Sequence, residues 1–441
     1  MQDKTFFKKV KEQTTKIKRG SHVVERRTPI SVIEAIQKVM NFAKEGETEI
    51  IPLEEAYGRY LAEDLLADHD VPPFDRSPYD GFAIRAVDSR SASLDHPVEF
   101  EVIETIGAGE VAKKEMGPFQ AVRIMTGAQI PSGCDAVVMF EVANEYERNG
   151  KTYMSIKRSF RPGDNISFQG EDTKKGEVLV AKGTLINPGV QALLATFGYA
   201  NVKVAKKPRI GIFATGSELL DVSEPLVPGK IRNSNAYMIQ AQAIRSGASP
   251  LYFGKLPDNI DRCFAAIEQA LPEVDFLITT GGVSVGDYDY LPAIYERLGA
   301  EVLFNKVAMR PGSVTTVAQM QGKLLFGLSG NPSACYVGYE LFVRPIVRTM
   351  LCSPTPHLYK TKATLLADFP KPNPFTRFVR SYVKAQDGQL YVMPVGTDKS
   401  NIVTSLAKAN ALMVLPGGTR GFMQGDLVDV WLLEHEEGSA L

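Results

Sequence analysis

The chain has 441 residues, 44% of them apolar and 23% charged, the make-up of an ordinary globular protein of about three domains. A formal net charge of −1 leaves no whole-molecule field to draw it to nucleic acid or a membrane surface. Four scattered cysteines and five scattered histidines make no zinc or iron spacing, so any metal is expected to be a hard cation held by oxygen. The few cysteines fit a reducing cytoplasm.

Residues 1–28 form a basic arm, with nine Lys/Arg against Asp3, Glu12 and Glu25, and read as a solvated terminus. The arm lacks the apolar core of a signal peptide, and no apolar run in the chain approaches a membrane span, so neither export nor insertion is expected. A first domain is expected from 29–75 plus 160–205. Its "SVIEAIQKVMNFA" has a helical period, with Val32, Ile33, Ile36, Val39 and Met40 on one stripe, and "PGVQALLATFGY" predicts a second helix carrying Val190, Leu193, Leu194 and Phe197.

Between these pieces lies "FDRSPYDGFAIR", Phe74–Arg85, where two Asp, two Arg, a Ser and a Tyr crowd around the turn dipeptides Ser77-Pro78 and Asp80-Gly81. It reads as a loop leading into a strand at Phe82-Ala83-Ile84. Alternation in Val98–Val102 and Thr152–Ile156 then predicts a β-rich module over 76–159, inserted in the first domain.

From 206 to 352 apolar strands alternate with amphipathic helices: "RIGIFATG", "NAYMIQAQAIRSG", "SPLYFG", "IDRCFAAIEQAL", "DFLITTGG", "LPAIYERLG", "KLLFGL", then a helix from Pro332 through Met350. That order predicts a doubly wound, mostly parallel sheet with helices on both faces, and puts Cys263 in its core. The proline-rich "SPTPHL" and "FPKPNPF" mark a boundary, after which "RFVRSYVKAQDGQLYVMPV" reads as a hairpin turning at Asp387-Gly388. Residues 353–441 are expected to be a small β-barrel or sandwich, with the barrel as the reading adopted. The whole is thus a multidomain α/β and β protein.

In doubly wound sheets ligands bind beyond the carboxyl ends of the strands. Here those ends carry Thr215-Gly216-Ser217-Glu218, then Asp258, then "GGVSVGDYDY" with Gly281, Gly282, Ser284 and Asp289, then "SGNPSA" with Ser329, Gly330 and Asn331 before a helix. Glycines allow close backbone approach, hydroxyls and N–H groups suit an oxyanion, and Glu218, Asp258 and Asp289 suit Mg²⁺ shared with phosphate. Lys306 and Arg310 would add fixed positive charge. Neither G-x-G-x-x-G nor G-x-x-x-x-G-K-[ST] occurs, so no dinucleotide fold or P-loop is expected.

"TTGGVSVGDYDY" and "GLSGNPSA", with "PFDRSPYDGFA", "RIMTGAQIP" and "GEDTKKGEVL", resemble the molybdopterin molybdenumtransferases, relatives of the gephyrin E domain, over roughly residues 29–441. The resemblance implies an elongated four-domain homodimer that takes adenylylated molybdopterin, releases AMP with Mg²⁺ and inserts molybdate; an adenylyltransferase is a candidate partner. It implies that Asp80 and Thr126 reach the partner subunit's substrate and that Asp172 is a further acidic site position. It puts Glu218, Asp258 and Asp289 around the adenylate and its Mg²⁺, Lys306 and Arg310 as a cationic pair, and Arg377 and Ser400 near the molybdate. Asp80, Thr126, Asp172, Glu218 and Asp289 are the expected catalytic set, and Asp258 and Asp289 the expected metal ligands. The chain departs from the family pattern at Arg76, Ser167, Arg310 and Ser313, where Asn, Arg, Lys and Lys are usual. A same-fold adenylyltransferase and a gephyrin-like scaffold are the alternative readings.

Overall fold

The computed structural model describes residues 16–19, 22–25, 28–257, 259–282, 291–434 and 438–439. The basic arm lies largely outside them, apart from an antiparallel pair of short strands, Lys16–Arg19 and His22–Glu25. The chain divides into two compact units. One comprises Met1–Glu63, Lys182–Asn187 and Asn201–Leu441, and the other Asp64–Ala181 and Pro188–Ala200.

The larger unit is built on a six-stranded sheet. Its strands are β1 (Arg209–Ala214), β2 (Ser249–Lys255), β3 (Phe276–Thr280), β4 (Glu301–Phe304), β5 (Thr316–Met320) and β6 (Lys323–Leu328), in the order β2-β1-β3-β6-β5-β4. The first four in that order are parallel, while β5 and β4 add an antiparallel edge. Period-two alternation sends Ile210, Ile212, Phe276, Ile278 and Phe326 to one face and Phe213, Leu277 and Leu325 to the other. Helix α1 (Asn235–Ser246) covers the first face through Ala236, Ile239 and Ala243, and ends at Gly247, whose φ of 101° makes the left-handed cap. Helices α2 (Ile260–Ala270) and α3 (Leu291–Arg297) cover the second through Cys263, Ile267, Leu291 and Ile294. Cys263 therefore belongs to the core.

The helix expected from Pro332 through Met350 is interrupted. It runs as α4 (Pro332–Gly338), a π-helical segment Tyr339–Val343, then a second α segment Arg344–Met350. The N-terminal helix Val32–Met40 packs on the same face and is capped by Ser31 Oγ, which accepts from Glu34 N at 3.1 Å. Its stripe differs from the expected one. Val32, Ala35, Ile36 and Val39 are buried, while Ile33 is 64% exposed, because the i, i+3, i+4, i+7 series starting at Val32 skips position 33.

Strands β7 (His357–Leu365), β8 (Thr376–Gln386), β9 (Gln389–Pro394), β10 (Ala411–Leu415) and β11 (Leu427–Leu432) follow. Pairing runs β8-β9-β7-β11-β10 and returns from β10 to β8, around a core that includes Leu365, Val379, Val392, Met413 and Val430. The β8–β9 hairpin turns at Asp387-Gly388, with φ values of 50° and 74° that a two-residue turn between twisted strands requires.

In the smaller unit, a six-stranded sheet runs Ala136–Met139, Gly81–Ile84, Gln120–Ile124, Val98–Ile106, Lys151–Ile156, Ala143–Arg148. Phe82, Ile84, Phe100, Met154 and Ile156 make its core, and Glu99 and Glu101 alternate outward to meet Arg148 and Lys151. The loop-then-strand reading of Phe74–Arg85 holds, with the strand starting at Gly81. The helix Pro188–Thr196 also forms here, burying Val190 and Leu194.

Candidate active site

The carboxyl ends of β1, β3 and β6, with Leu256-Pro257 just beyond β2, converge on a cleft of about 920 Å³. Glu218, Gly281, Gly282, Ser329, Gly330 and Asn331 all line it. Asp258, Ser284 and Asp289 lie outside the described residues.

Close backbone approach explains the glycines. A Cβ on Gly281 (φ 90°) would stand 2.5 Å from Thr215 Oγ1 and 2.8 Å from Thr215 O, and the Gly281 Cα itself lies 3.5 Å from where a Cβ on Gly330 would be. The loops after β1, β3 and β6 are thus packed backbone to backbone. Gly216 (φ 132°) leaves room for Glu218, whose carboxylate oxygens would lie within 2.6 Å of a Cβ there. Leu256, Leu291, Ile294 and Val314 supply an apolar wall, so the cleft suits a ligand with a flat apolar body and a polar, anionic portion.

Three cleft-side contributors were not foreseen. Arg232 lines the cleft and spends Nε and Nη2 on the Glu224 carbonyl at 3.2 and 3.0 Å, leaving other guanidinium donors for a ligand. Lys230 Nζ donates to the Ser217 carbonyl at 2.5 Å, bringing its charge to the loop that carries Glu218. Asn235, the first residue of α1, donates from Nδ2 to the Gly330 carbonyl at 2.8 Å and to Thr280 Oγ1 at 2.9 Å. The only sequence signal was the run "RNSN" just before α1, which reads as ordinary helix capping.

Lys306, Arg310, Arg377 and Ser400 are not among the residues lining this cleft. Met309–Arg310 pairs in parallel with β8, which sets Arg310 opposite Arg377. Arg310 is exposed, whereas Arg377 is 8% exposed and finds an acceptor at each guanidinium nitrogen. Its Nε donates to Asn373 Oδ1 at 2.5 Å, Nη1 to Asp398 Oδ2 at 2.6 Å and Nη2 to the Pro372 carbonyl at 3.2 Å. Arg380 donates to the other Asp398 oxygen at 3.2 Å. Ser400 approaches the β6 turn through its backbone: its carbonyl accepts from Ser333 N at 3.0 Å, while Ser333 Oγ donates to the Ile402 carbonyl at 2.6 Å. Lys306 holds Ile30, whose N–H donates to the Lys306 carbonyl at 3.1 Å.

In the smaller unit Asp80 and Thr126 come together as the sequence reading grouped them. Asp80 Oδ1 accepts from Thr126 N at 2.6 Å and from Thr126 Oγ1 at 2.9 Å, and the backbone bond first, then the hydroxyl, hold this exposed carboxyl below its usual pKa. The loop is pinned by Ser77, which is buried and donates to the Tyr79 carbonyl at 2.5 Å. Arg76 bridges to Ser167 and Gln129 through its backbone. Asp172 is exposed, with its N–H bonded to the Val71 carbonyl at 3.0 Å.

Fold and cleft together define a multidomain α/β protein with a strand-end ligand cleft. Three family descriptions match it in order: "MoeA N-terminal region (domain I and II)" over 30–198, "Probable molybdopterin binding domain" over 211–349 and "MoeA C-terminal region (domain IV)" over 362–433. The chain is 65% identical over 417 residues to the molybdopterin molybdenumtransferase of Bacillus subtilis (strain 168), covering 95% of this chain and 97% of that one. Against the enzyme of the same name from Staphylococcus aureus (strain COL) it is 52% identical over 414 residues, covering 94% and 98%. The crystal structure of the molybdopterin biosynthesis moeA protein from Pyrococcus horikoshii OT3 superposes with a TM-score of 0.78 at 33% identity, covering 92% of this chain and all of that one. The chain belongs to the molybdopterin molybdenumtransferase family.

Proposed function

We propose that the chain is a transferase of molybdenum cofactor biosynthesis that holds adenylylated molybdopterin in the strand-end cleft, releases AMP and places molybdate on the pterin. The observation that carries this is the cleft itself, which lies in the segment matching the molybdopterin binding description. It combines an apolar wall for a heterocycle with a glycine-lined polar rim. Breaking a phosphoanhydride mainly requires charge neutralisation and positioning. Arg232 and Lys230 bring positive charge to the rim, and the packed loops after β1, β3 and β6 fix the backbone there.

Glu218 is a described cleft carboxylate of the oxygen chemistry that Mg²⁺ takes, and Asp258 and Asp289 are its expected companions; a bound Mg²⁺ would neutralise phosphate charge. We read the β7–β11 circuit as a small barrel domain, Arg310 as its cationic neighbour for molybdate, and Arg377 as the residue that braces the Asp398 loop. The family resemblance supports a homodimer in which Asp80, Thr126 and Asp172 serve the partner's cleft. It also supports boundaries near 75, 159, 205 and 352, and an adenylyltransferase as donor in the same compartment. An adenylyltransferase activity for the chain itself is disfavoured by the segments matched on both sides of the α/β segment.

The test is incubation of the purified chain with adenylylated molybdopterin, molybdate and Mg²⁺, followed by mass spectrometry. AMP and a molybdenum-bearing pterin should appear together. Unchanged substrate, under conditions where a related enzyme turns over, would sink the proposal.

A further inference from the structure

The amide of Asn235 is oriented by its surroundings. Its nitrogen faces the Gly330 carbonyl at 2.8 Å, an oxygen that can only accept, so the two ends of the amide cannot be exchanged. Thr280 Oγ1 is the second acceptor of that nitrogen, at 2.9 Å. The remaining atom, Oδ1, is buried and has no hydrogen-bond partner among the described residues, on a side chain only 7% exposed that lines the cleft. A buried acceptor left unpaired costs free energy, so a side chain locked in this orientation is matched to a donor that arrives from the cleft.

The chemistry of that donor is restricted. An ionised phosphate or molybdate oxygen carries no proton and would be repelled by a carbonyl oxygen. The anionic portion of the ligand must therefore sit elsewhere, toward Arg232 and Lys230. A neutral donor suits Oδ1, and the amino group of a heterocycle lying against the apolar wall of Leu256, Leu291, Ile294 and Val314 supplies one. We propose that Asn235 Oδ1 is the acceptor that reads an exocyclic amino group of the bound heterocycle, making Asn235 a specificity-determining residue of the cleft. Its Nδ2 meanwhile ties the β3 and β6 loops so that the acceptor is held in place. The inference rests on the proposed use of this cleft and deepens it.

Both halves of an adenylylated pterin carry such a group, and the experiment separates them without turnover. Affinities of AMP, inosine monophosphate, pterin and lumazine are measured by calorimetry for the wild type and Asn235→Leu, with inorganic phosphate and Mg²⁺ alone as controls. Inosine monophosphate and lumazine each replace an amino group by an oxygen. Wild type should prefer the amino member of one pair by roughly threefold to tenfold, the range for one neutral hydrogen bond. Asn235→Leu, nearly isosteric, should erase that preference, while any loss from untying the β3 and β6 loops should fall equally on both members of the pair.

A preference in the AMP pair assigns the contact to adenine, and one in the pterin pair assigns it to the pterin. No preference in wild type for either pair overturns the proposal, and does so even if the variant fails to fold. Equal loss of all ligands in Asn235→Leu would make the residue a brace only, and selective loss of Mg²⁺ would make it a metal ligand; either result overturns it. Failure of AMP release by the wild type would count against the proposed reaction and leave these binding arms intact.

Discussion

The guanidinium of Arg377 donates to three oxygens, and Asp398 is shared between it and Arg380, which is 1% exposed. Three of its five N–H donors are thus committed, and removing it leaves Asn373 Oδ1 and part of Asp398 buried without donors. Arg377→Ala should therefore lose about 2–4 kcal/mol in urea unfolding, as broken buried pairs do, while Arg310→Ala should stay within about 0.5 kcal/mol of wild type. Molybdate affinity should move the other way, falling roughly tenfold or more in Arg310→Ala, which loses a charge-assisted contact. An Arg310→Ala protein with unchanged molybdate dependence would remove that residue from the anion site. Glu218 and the glycines were legible because a strand end followed by Gly, hydroxyl and carboxylate is a local pattern. Asn235 was not, since its meaning depends on Gly330, 95 positions away. Nor could the sequence separate Arg310, exposed, from Arg377, buried and paired: both are arginines a few residues at most from a proline.

Among the elements, the loop after β3 is the least tolerant. Gly281→Ala puts a methyl into Thr215, at a φ of 90° that an L side chain avoids. A cost of about 2 kcal/mol or more is expected, with weakened AMP binding. Thr215→Ala should not rescue it, because the Thr215 carbonyl also stands in the way; full rescue would mean the loop is free to shift. Strand β7 carries a second sensitivity. Burial, with Lys360 nearby, depresses the His357 pKa from 6.5 to about 4. The unfolded chain takes up that proton first as pH falls, so this contribution to stability is present above about 6.5 and is lost on descent to about 4. The loss should be on the order of 1–3 kcal/mol. His357→Phe should flatten that part of a plot of unfolding free energy against pH, and an unchanged slope would show that His357 is protonated equally in both states. Most elements were readable from period alone, including the Asp387-Gly388 hairpin. The π segment was not, because Tyr339–Val343 reads as uninterrupted helix and only the fit of its buried side chains against α1 and the sheet distinguishes it.

At the scale of the whole molecule, the proposed dimer makes a prediction no monomer shares. Mixing an Asp80→Ala chain with a Glu218→Ala chain should recover about a quarter of wild-type turnover per chain if Asp80 serves the partner's cleft, since half the dimers are then mixed and each holds one intact site. Mixtures no better than the separate variants, with subunit exchange verified, would place Asp80 in the service of its own chain. Apolar packing runs across the boundary expected near residue 352. One apolar cluster contains Val32, Ile36, Ile278, Phe342, Leu358, Phe378 and Leu412, so segments assigned to three separate stretches share a core.

The pairing of Met309–Arg310 with Thr376–Arg377 bears on how this protein can be taken apart. Main-chain hydrogen bonds at that seam run between residues on opposite sides of the proline-rich linker, as does the bond from Ser333 N to the Ser400 carbonyl. A recombinant fragment cut at 206 and 352 would carry bare amides at 309–310, an uncapped Ser333, and the apolar flank that Leu358, Phe378 and Leu412 normally shield. Such a fragment invites self-association through the exposed strand edge. The α/β segment, easily recognised as a module on paper, should behave in the test tube as a piece of something larger.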